Sequence, residues 1–126
     1  MKRLWIGLTV LSVLLLAGWT SAYFMERCHG PICKDLSLAV QAAAQDDWPK
    51  AEALSASAQA QWQRCRDFTA IFADHTVLEE VDSLFAEVAI YTAARENIPF
   101  AAACARLSEL AKAVSESHSP IWQNLL

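Results

Sequence analysis

The sequence predicts an all-α protein in which an N-terminal transmembrane helix is followed by a small antiparallel four-helix bundle. Three observations lead to this fold class. Residues 4–25 contain no charged side chain, apolar residues recur at helical spacing along the remainder, and the 126 residues include only three glycines and four prolines. Scarce turn-forming residues favour few, long elements, and steps of three and four between apolar positions favour amphipathic helices.

The N-terminal apolar segment, residues 4–25, is long enough to cross a bilayer as a helix. Its 22 residues correspond to about 33 Å at 1.5 Å per residue, against a hydrocarbon core of about 30 Å. Lys2 and Arg3 precede the segment, so the positive-inside rule predicts a cytoplasmic N-terminus and an extracytoplasmic remainder at the cell membrane. The alternative is a signal peptide cleaved after the Thr-Ser-Ala of residues 20–22, which would release a secreted protein. Under both interpretations residues 26–126 are exported.

The chain divides into three parts on this interpretation. Residues 1–25 form the signal anchor, which contacts membrane lipid through residues 4–25, and residues 26–34 form a cysteine-containing linker. Residues 35–126 form the extracytoplasmic helical domain. The first helix of this domain is predicted to be short, and Asp35 is a suitable N-cap for it.

The second helix is predicted over residues 48–73. Asp47 can accept a hydrogen bond from its free N–H groups, and Pro49 suits the first turn, where no intrahelical N–H bond is lost. The apolar positions are spaced by three or four residues, so that one face of the helix points to the core. They are Trp48, Ala51, Leu54, Ala58, Trp62, Cys65, either Phe68 or Thr69, and Phe72.

Two further helices follow. The spacing of Thr76 and Glu79 is that of a capping box, which predicts a third helix from Thr76 to about Glu96. The Asn-Ile-Pro of residues 97–99 marks the next boundary, and a fourth helix is predicted to end near Ser117. Short connections make these helices antiparallel neighbours. An apolar C-terminal tail is expected to pack back onto the bundle through Ile121, Trp122, Leu125 and Leu126.

Four cysteines lie in the exported part: Cys28, Cys33, Cys65 and Cys104. An even number of cysteines outside the cytoplasm predicts disulfides, and four cysteines allow three pairings. We favour Cys28–Cys33, across a short loop of turn residues, together with Cys65–Cys104, which both lie on apolar helical stripes. Free thiols are one alternative, and a metal site formed by Cys28, His29 and Cys33 is another. Structural zinc sites usually use CxxC pairs, so we expect neither a metal nor another cofactor.

His75 is the best candidate for chemistry, since Asp74 and Glu79 lie near it in the sequence. A histidine beside carboxylates can act as a general base or bind a metal. Helix capping accounts for both carboxylates, however, and a helix junction accounts for His75, so we expect no enzyme. The alternative function is a small-ligand or metal sensor that binds between the helices at Trp62, His75 and Glu79.

The exported part is acidic, because all 14 Asp and Glu residues lie at or after Glu26, and the net charge of the whole chain is −4. Nucleic-acid binders neutralise phosphates with clustered Lys and Arg, and the sequence contains no basic stripe. We therefore expect no nucleic-acid partner. Because the sequence holds no catalytic constellation, we expect a structural or protein-interaction module that contacts another membrane or envelope protein.

Several short motifs occur in a fixed order along the chain. A basic start and an apolar segment are followed by Asp47-Trp48-x-x-Ala51, Trp62, Asp74-His75-x-x-x-Glu79 and the terminal Asn124-Leu125-Leu126. This order resembles the DUF4363 family of small bacterial membrane-anchored helical proteins, over nearly the whole chain. The resemblance implies an extracytoplasmic helical domain behind an anchor, and it implies no activity.

Overall fold

The computed structural model describes residues 1–71 and 73–116, and every regular element within these ranges is an α-helix. The predicted all-α fold class is therefore confirmed. The anchor segment and the first helix of the bundle form one element rather than two. The helices are α1 (Lys2–Ala44), α2 (Trp48–Ala70), α3 (His75–Ala94) and α4 (Asn97–Glu116).

The N-terminal half of α1 stands clear of the other helices. Its segment Lys2–Thr20 has a mean hydropathy of 1.6, and none of that apolar window is buried inside the protein. The segment is long and apolar enough to cross a membrane, which is a property of signal anchors and of signal peptides alike.

The helix continues through residues 26–34, where a linker was predicted. Gly30 and Pro31 suggested a turn, because an interior proline has no N–H to donate and its ring crowds the carbonyl four residues earlier. Burial outweighs that cost here, since an apolar stripe runs through the proline at steps of three and four. The stripe comprises His29, Ile32, Leu36, Ala39 and Ala43.

Asp35 accordingly caps no helix. Its Oδ2 accepts hydrogen bonds from Ser57 Oγ at 2.9 Å and Gln61 Nε2 at 2.8 Å, which join α1 to α2. The division of the chain into an anchor, a linker and a domain remains a prediction, and the structure adds that no break in the helix separates them.

The starts of α2 and α3 are both capped by aspartate. Asp47 accepts from the Lys50 N–H at 3.4 Å and Pro49 lies in the first turn, as predicted. Asp74 caps α3 by accepting from the Thr76 N–H at 3.4 Å. The predicted Thr76–Glu79 capping box was therefore wrong, because the N-cap is Asp74, two residues before Thr76.

Each helix packs against two neighbours, in the pairs α1–α2, α2–α3, α3–α4 and α4–α1. Connections of two to four residues join successive helices, which run alternately up and down. At the end of the bundle far from the N-terminal segment, Trp48 meets Phe100 edge to face, with ring centroids 5.7 Å apart. The predicted C-terminal tail, the end of α4 near Ser117 and the core position Phe72 lie outside the described residues.

Two helices end on residues in the left-handed conformation. Asp46 follows α1 with φ 62° and Arg95 follows α3 with φ 56°. In each case the N–H of the residue that follows donates to the carbonyl five residues before it. The distances are 2.9 Å from Asp47 N to Ala42 O and 3.0 Å from Glu96 N to Tyr91 O. This is the Schellman arrangement, in which glycine is the usual left-handed residue.

Candidate functional site

The three side chains of the predicted ligand site have different surroundings. Trp62 is only 2% exposed and belongs to the core, whereas His75 and Glu79 are exposed to solvent in the first turns of α3. No hydrogen bond between described residues joins Trp62 to either of them. A ligand site at these residues stays a prediction. The one N–H group of the Trp62 indole already donates to a protein partner.

That partner is Asp82, a residue that the sequence analysis did not single out. Its Oδ1 accepts from Trp62 Nε1 at 2.7 Å and its Oδ2 accepts from Arg66 Nε at 3.0 Å. Trp62 and Arg66 are one turn apart on α2 and therefore present both donors on one side. A donor pair at this spacing, facing an aspartate on the next helix, is the sequence pattern that could have indicated the contact.

The structure pairs Cys28 with Cys65, with 6.0 Å between their Cα atoms. The expected pairs Cys28–Cys33 and Cys65–Cys104 were wrong. Residues five apart in a continuous helix have Cα atoms about 8.6 Å apart, beyond the reach of about 7 Å that a disulfide tolerates. Cys65 and Cys104 lie on α2 and α4, which face each other across the bundle rather than packing as neighbours. The disulfide indicates an extracytoplasmic location for this part of the chain.

The other two cysteines are free thiols. Burial raises the pKa of the Cys104 thiol to about 12, so that this group is not a thiolate at neutral pH. Burial also raises the pKa of Cys33, against the opposing charge of Lys112, and its Sγ donates to the Ser108 carbonyl at 3.8 Å. Because Cys28 is held in the disulfide, the alternative metal site with His29 and Cys33 lacks one of its three ligands. Among the described residues, no group of three or more His, Cys, Asp or Glu is placed to hold a metal ion.

His29 lies beside the disulfide and is 2% exposed. Thr69 Oγ1 donates its only hydrogen to the Cys65 carbonyl at 2.8 Å, so at the 3.5 Å contact the His29 Nε2 is the donor. The imidazole Nδ1 is then a bare acceptor, buried and without a hydrogen-bond partner among the residues that the structure describes. Burial lowers the pKa of His29, which keeps the ring neutral at physiological pH.

A groove of about 260 Å³ separates α2 from α3 in the half of the bundle far from the N-terminal segment. Buried residues from both helices form its floor, and exposed alanines and two polar residues form its rim. The floor consists of Ser55, Phe85, Val88 and Thr92, and the rim consists of Glu52, Ala56, Gln59, Ala89 and Ala93.

The hydroxyl groups in the floor of the groove offer no free hydrogen-bond donor. Ser55 Oγ donates to the Glu52 carbonyl at 3.0 Å, and Thr92 Oγ1 donates to the Val88 carbonyl at 2.6 Å, both within their own helices. The hydroxyl hydrogens are thus used internally. Beside the rim, Ile90 is 64% exposed, which extends the apolar surface along α3.

A family model described as "Domain of unknown function (DUF4363)" matches residues 19–125. The chain belongs to the DUF4363 family. The match begins within the apolar part of α1 and extends through α2, α3 and α4, and it confirms the resemblance inferred from the sequence motifs. Neither the curated proteins nor the solved structures contain a match.

In this DUF4363 protein, three of the motif residues that carried the resemblance have structural roles. Asp47 and Asp74 cap α2 and α3, and Trp62 is a core side chain that joins those two helices through Asp82. The family therefore specifies the fold and leaves the function to be argued from the surfaces of the bundle.

Proposed function

We propose that this DUF4363 protein is a membrane-anchored extracytoplasmic interaction module, which binds another envelope protein through the α2–α3 groove and catalyses no reaction. The groove is the observation that carries the proposal. It is open, Phe85 and Val88 supply an apolar part of its floor, and three of its five rim residues are alanines. Pockets with these properties suit an apolar protein surface better than a polar substrate.

An uncleaved anchor is supported by the way α1 meets the bundle. The helix runs without interruption through residues 20–22, where a signal peptide would be cut. Beyond that point, Phe24 packs edge to face against Phe68 of α2 with ring centroids 4.5 Å apart. Phe24, in the last turn of the apolar segment, thus contacts the bundle. Lys2 and Arg3 favour a cytoplasmic N-terminus.

The shape of the groove favours an amphipathic helix as the bound segment. Ala56, Ala89 and Ala93 let a partner backbone approach closely, as small residues do at tight helix–helix contacts. An apolar helix face laid into a groove between two helices is a recurrent mode of recognition. Glu52 is the charged group of the rim, so a basic residue flanking the apolar face of the partner would add specificity.

The test is chemical crosslinking of the full-length, C-terminally tagged protein in its native membrane, followed by purification and mass spectrometry. The variant Ala89→Arg places a long charged side chain at the rim of the groove, and Ala105→Arg makes the same change at an exposed site on α4. We expect a partner that is lost with Ala89→Arg and retained with Ala105→Arg. Equal recovery of every partner with both variants would contradict the groove as the binding surface.

Topology has a separate test. A reporter enzyme that works only outside the cytoplasm, fused after Leu126, should be active, and a reporter that works only in the cytoplasm should be silent. The mass of the protein purified from the membrane should include residues 1–25. Activity of the cytoplasmic reporter would overturn the orientation, and loss of the N-terminal residues would overturn the anchor.

A further inference from the structure

The turn between α2 and α3 exposes a large apolar side chain at the end of the bundle next to the N-terminal segment. Ile71 is 72% exposed and directly follows the last residue of α2. Ile98, which is 84% exposed near the start of α4, lies at the opposite end of the bundle. Exposure alone does not distinguish these two isoleucines, but the levels at which they lie beside α1 do.

The register between α1 and α2 fixes the level of Ile71. Phe24 faces Phe68, and four residues further along α1 Cys28 is bonded to Cys65, three residues earlier in α2. The two helices therefore run antiparallel with these residues opposite each other. Ile71 is three residues beyond Phe68, which places it about 4.5 Å further towards the N-terminal half of α1.

The same helix gives the position of the membrane boundary. Lys2 and Arg3 stay at the cytoplasmic surface, and a hydrocarbon core of about 30 Å corresponds to about 20 residues of helix at 1.5 Å each. The outer boundary of the hydrocarbon then falls near Tyr23. Trp19 and Tyr23 are exposed on α1 at this level, where amphipathic aromatic rings favour the membrane interface.

We propose that the α2–α3 turn inserts Ile71 into the outer leaflet beside α1 and so gives the bundle a second lipid contact. This inference rests on the uncleaved anchor of the proposed function. The geometry specifies the bilayer as the partner of Ile71. When the anchor spans the membrane from Lys2, the α2–α3 turn lies at the depth of the outer hydrocarbon boundary. Asp67 is exposed four residues before Ile71, about 6 Å further from the N-terminal half of α1, so its charge lies on the aqueous side of the turn.

The experiment is photo-crosslinking of the full-length protein in its native membrane. A diazirine amino acid replaces one residue at a time, at Ile71, at Ile98 or at Leu16, and lipid adducts are measured by mass spectrometry after irradiation. Leu16 lies inside the predicted span and is the positive control, while Ile98 is the matched exposed isoleucine at the far end. We expect about tenfold more lipid adduct at position 71 than at position 98, because only position 71 lies at the depth of the hydrocarbon boundary.

The possible failures are distinguishable. Lipid adducts at position 16 with none at position 71 would overturn the second contact and leave the anchor standing. An absence of adducts at position 16 would overturn the anchor and the second contact together. A protein adduct at position 71 in place of lipid, whether to a second copy of the chain or to another protein, would also overturn the inference.

Discussion

Trp62 donates its indole N–H to Asp82 at 2.7 Å, and this bond joins the core of α2 to α3. The second oxygen of the same carboxylate accepts from Arg66 Nε at 3.0 Å. Both oxygens of Asp82 therefore accept hydrogen bonds from α2. The bond from the buried Trp62 contributes more to stability than the bond from Arg66. The ion pair with Arg66 is about one third exposed, and partly exposed pairs of this kind contribute about 0–1 kcal/mol.

The first prediction concerns Asp82→Ala. The substitution leaves the buried Trp62 N–H without an acceptor, which costs about 1–3 kcal/mol of unfolding free energy. Thermal unfolding of the full chain in detergent, followed by circular dichroism, measures the loss. Glu79→Ala, which removes an exposed carboxylate one turn earlier on α3, should change stability by less than about 0.5 kcal/mol. Equal effects from the two substitutions would show that the indole bond contributes nothing of its own.

The second prediction concerns the disulfide. Denatured protein alkylated without reductant should be labelled at Cys33 and Cys104, and peptide mapping should recover Cys28 linked to Cys65. Replacing both bonded cysteines by serine should cost about 4 kcal/mol by loop-closure entropy for a separation of 37 residues. Cys33→Ser is the matched control and should cost about 1 kcal/mol or less. Recovery of a linked Cys28–Cys33 peptide would contradict the structure.

The third prediction is a pH dependence of stability that originates at His29. Burial lowers the pKa of this group in the folded protein, while the unfolded chain retains the ordinary value of about 6.5. Above pH 6.5 neither state binds the proton, and stability is at its full value. Below pH 6.5 the unfolded chain takes up a proton that the folded chain does not, so stability falls until the pH reaches the lowered folded pKa.

Unfolding measured between pH 7.5 and pH 5 tests this dependence. The unmodified protein should lose at most about 1.4 kcal/mol per pH unit through this group below pH 6.5. His29→Phe should flatten the profile, whereas His75→Gln, which alters an exposed histidine, should preserve it. An unchanged slope in His29→Phe would assign the dependence to other groups.

The fourth prediction contrasts the two left-handed helix ends. Arg95→Gly should raise stability by about 0.5–1 kcal/mol, because glycine adopts a positive φ without the steric cost that other residues bear. Asp46→Gly should bring no gain, since Asp46 Oδ1 also accepts from Trp48 Nε1 at 2.9 Å and that bond would be lost. Thermal unfolding midpoints of the two variants provide the comparison. A larger gain at position 46 than at position 95 would refute the argument.

The fold could be predicted largely from local patterns in the sequence. Asp47 and Pro49 marked the start of α2 correctly, and the stripe through Trp48, Ala51 and Trp62 is buried as expected. Asp74 displaced the capping box of α3 because an aspartate is a stronger N-cap than a threonine and lies two residues earlier. Errors of this size arise where two good caps lie close together.

The disulfide pairing and the groove could not be predicted in the same way. Pro31 suggested a loop, and with a loop in place Cys33 could reach Cys28. Only the uninterrupted stripe from His29 to Ala43 indicates that α1 continues and carries the two cysteines to different sides. The groove depends on how far α2 and α3 stand apart near Phe85, which is a property of packing between helices and has no local pattern.

The unbroken α1 makes the anchor and the bundle one stiff rod of 43 residues, about 65 Å long. A bundle carried on a continuous helix cannot rotate independently of that helix. In the anchored protein, the direction in which the α2–α3 face points is therefore fixed relative to the membrane segment. One residue inserted between the two halves of α1 would turn that face by about 100°. A partner confined to the same membrane would then find the face pointing elsewhere, although every contact within the bundle is intact.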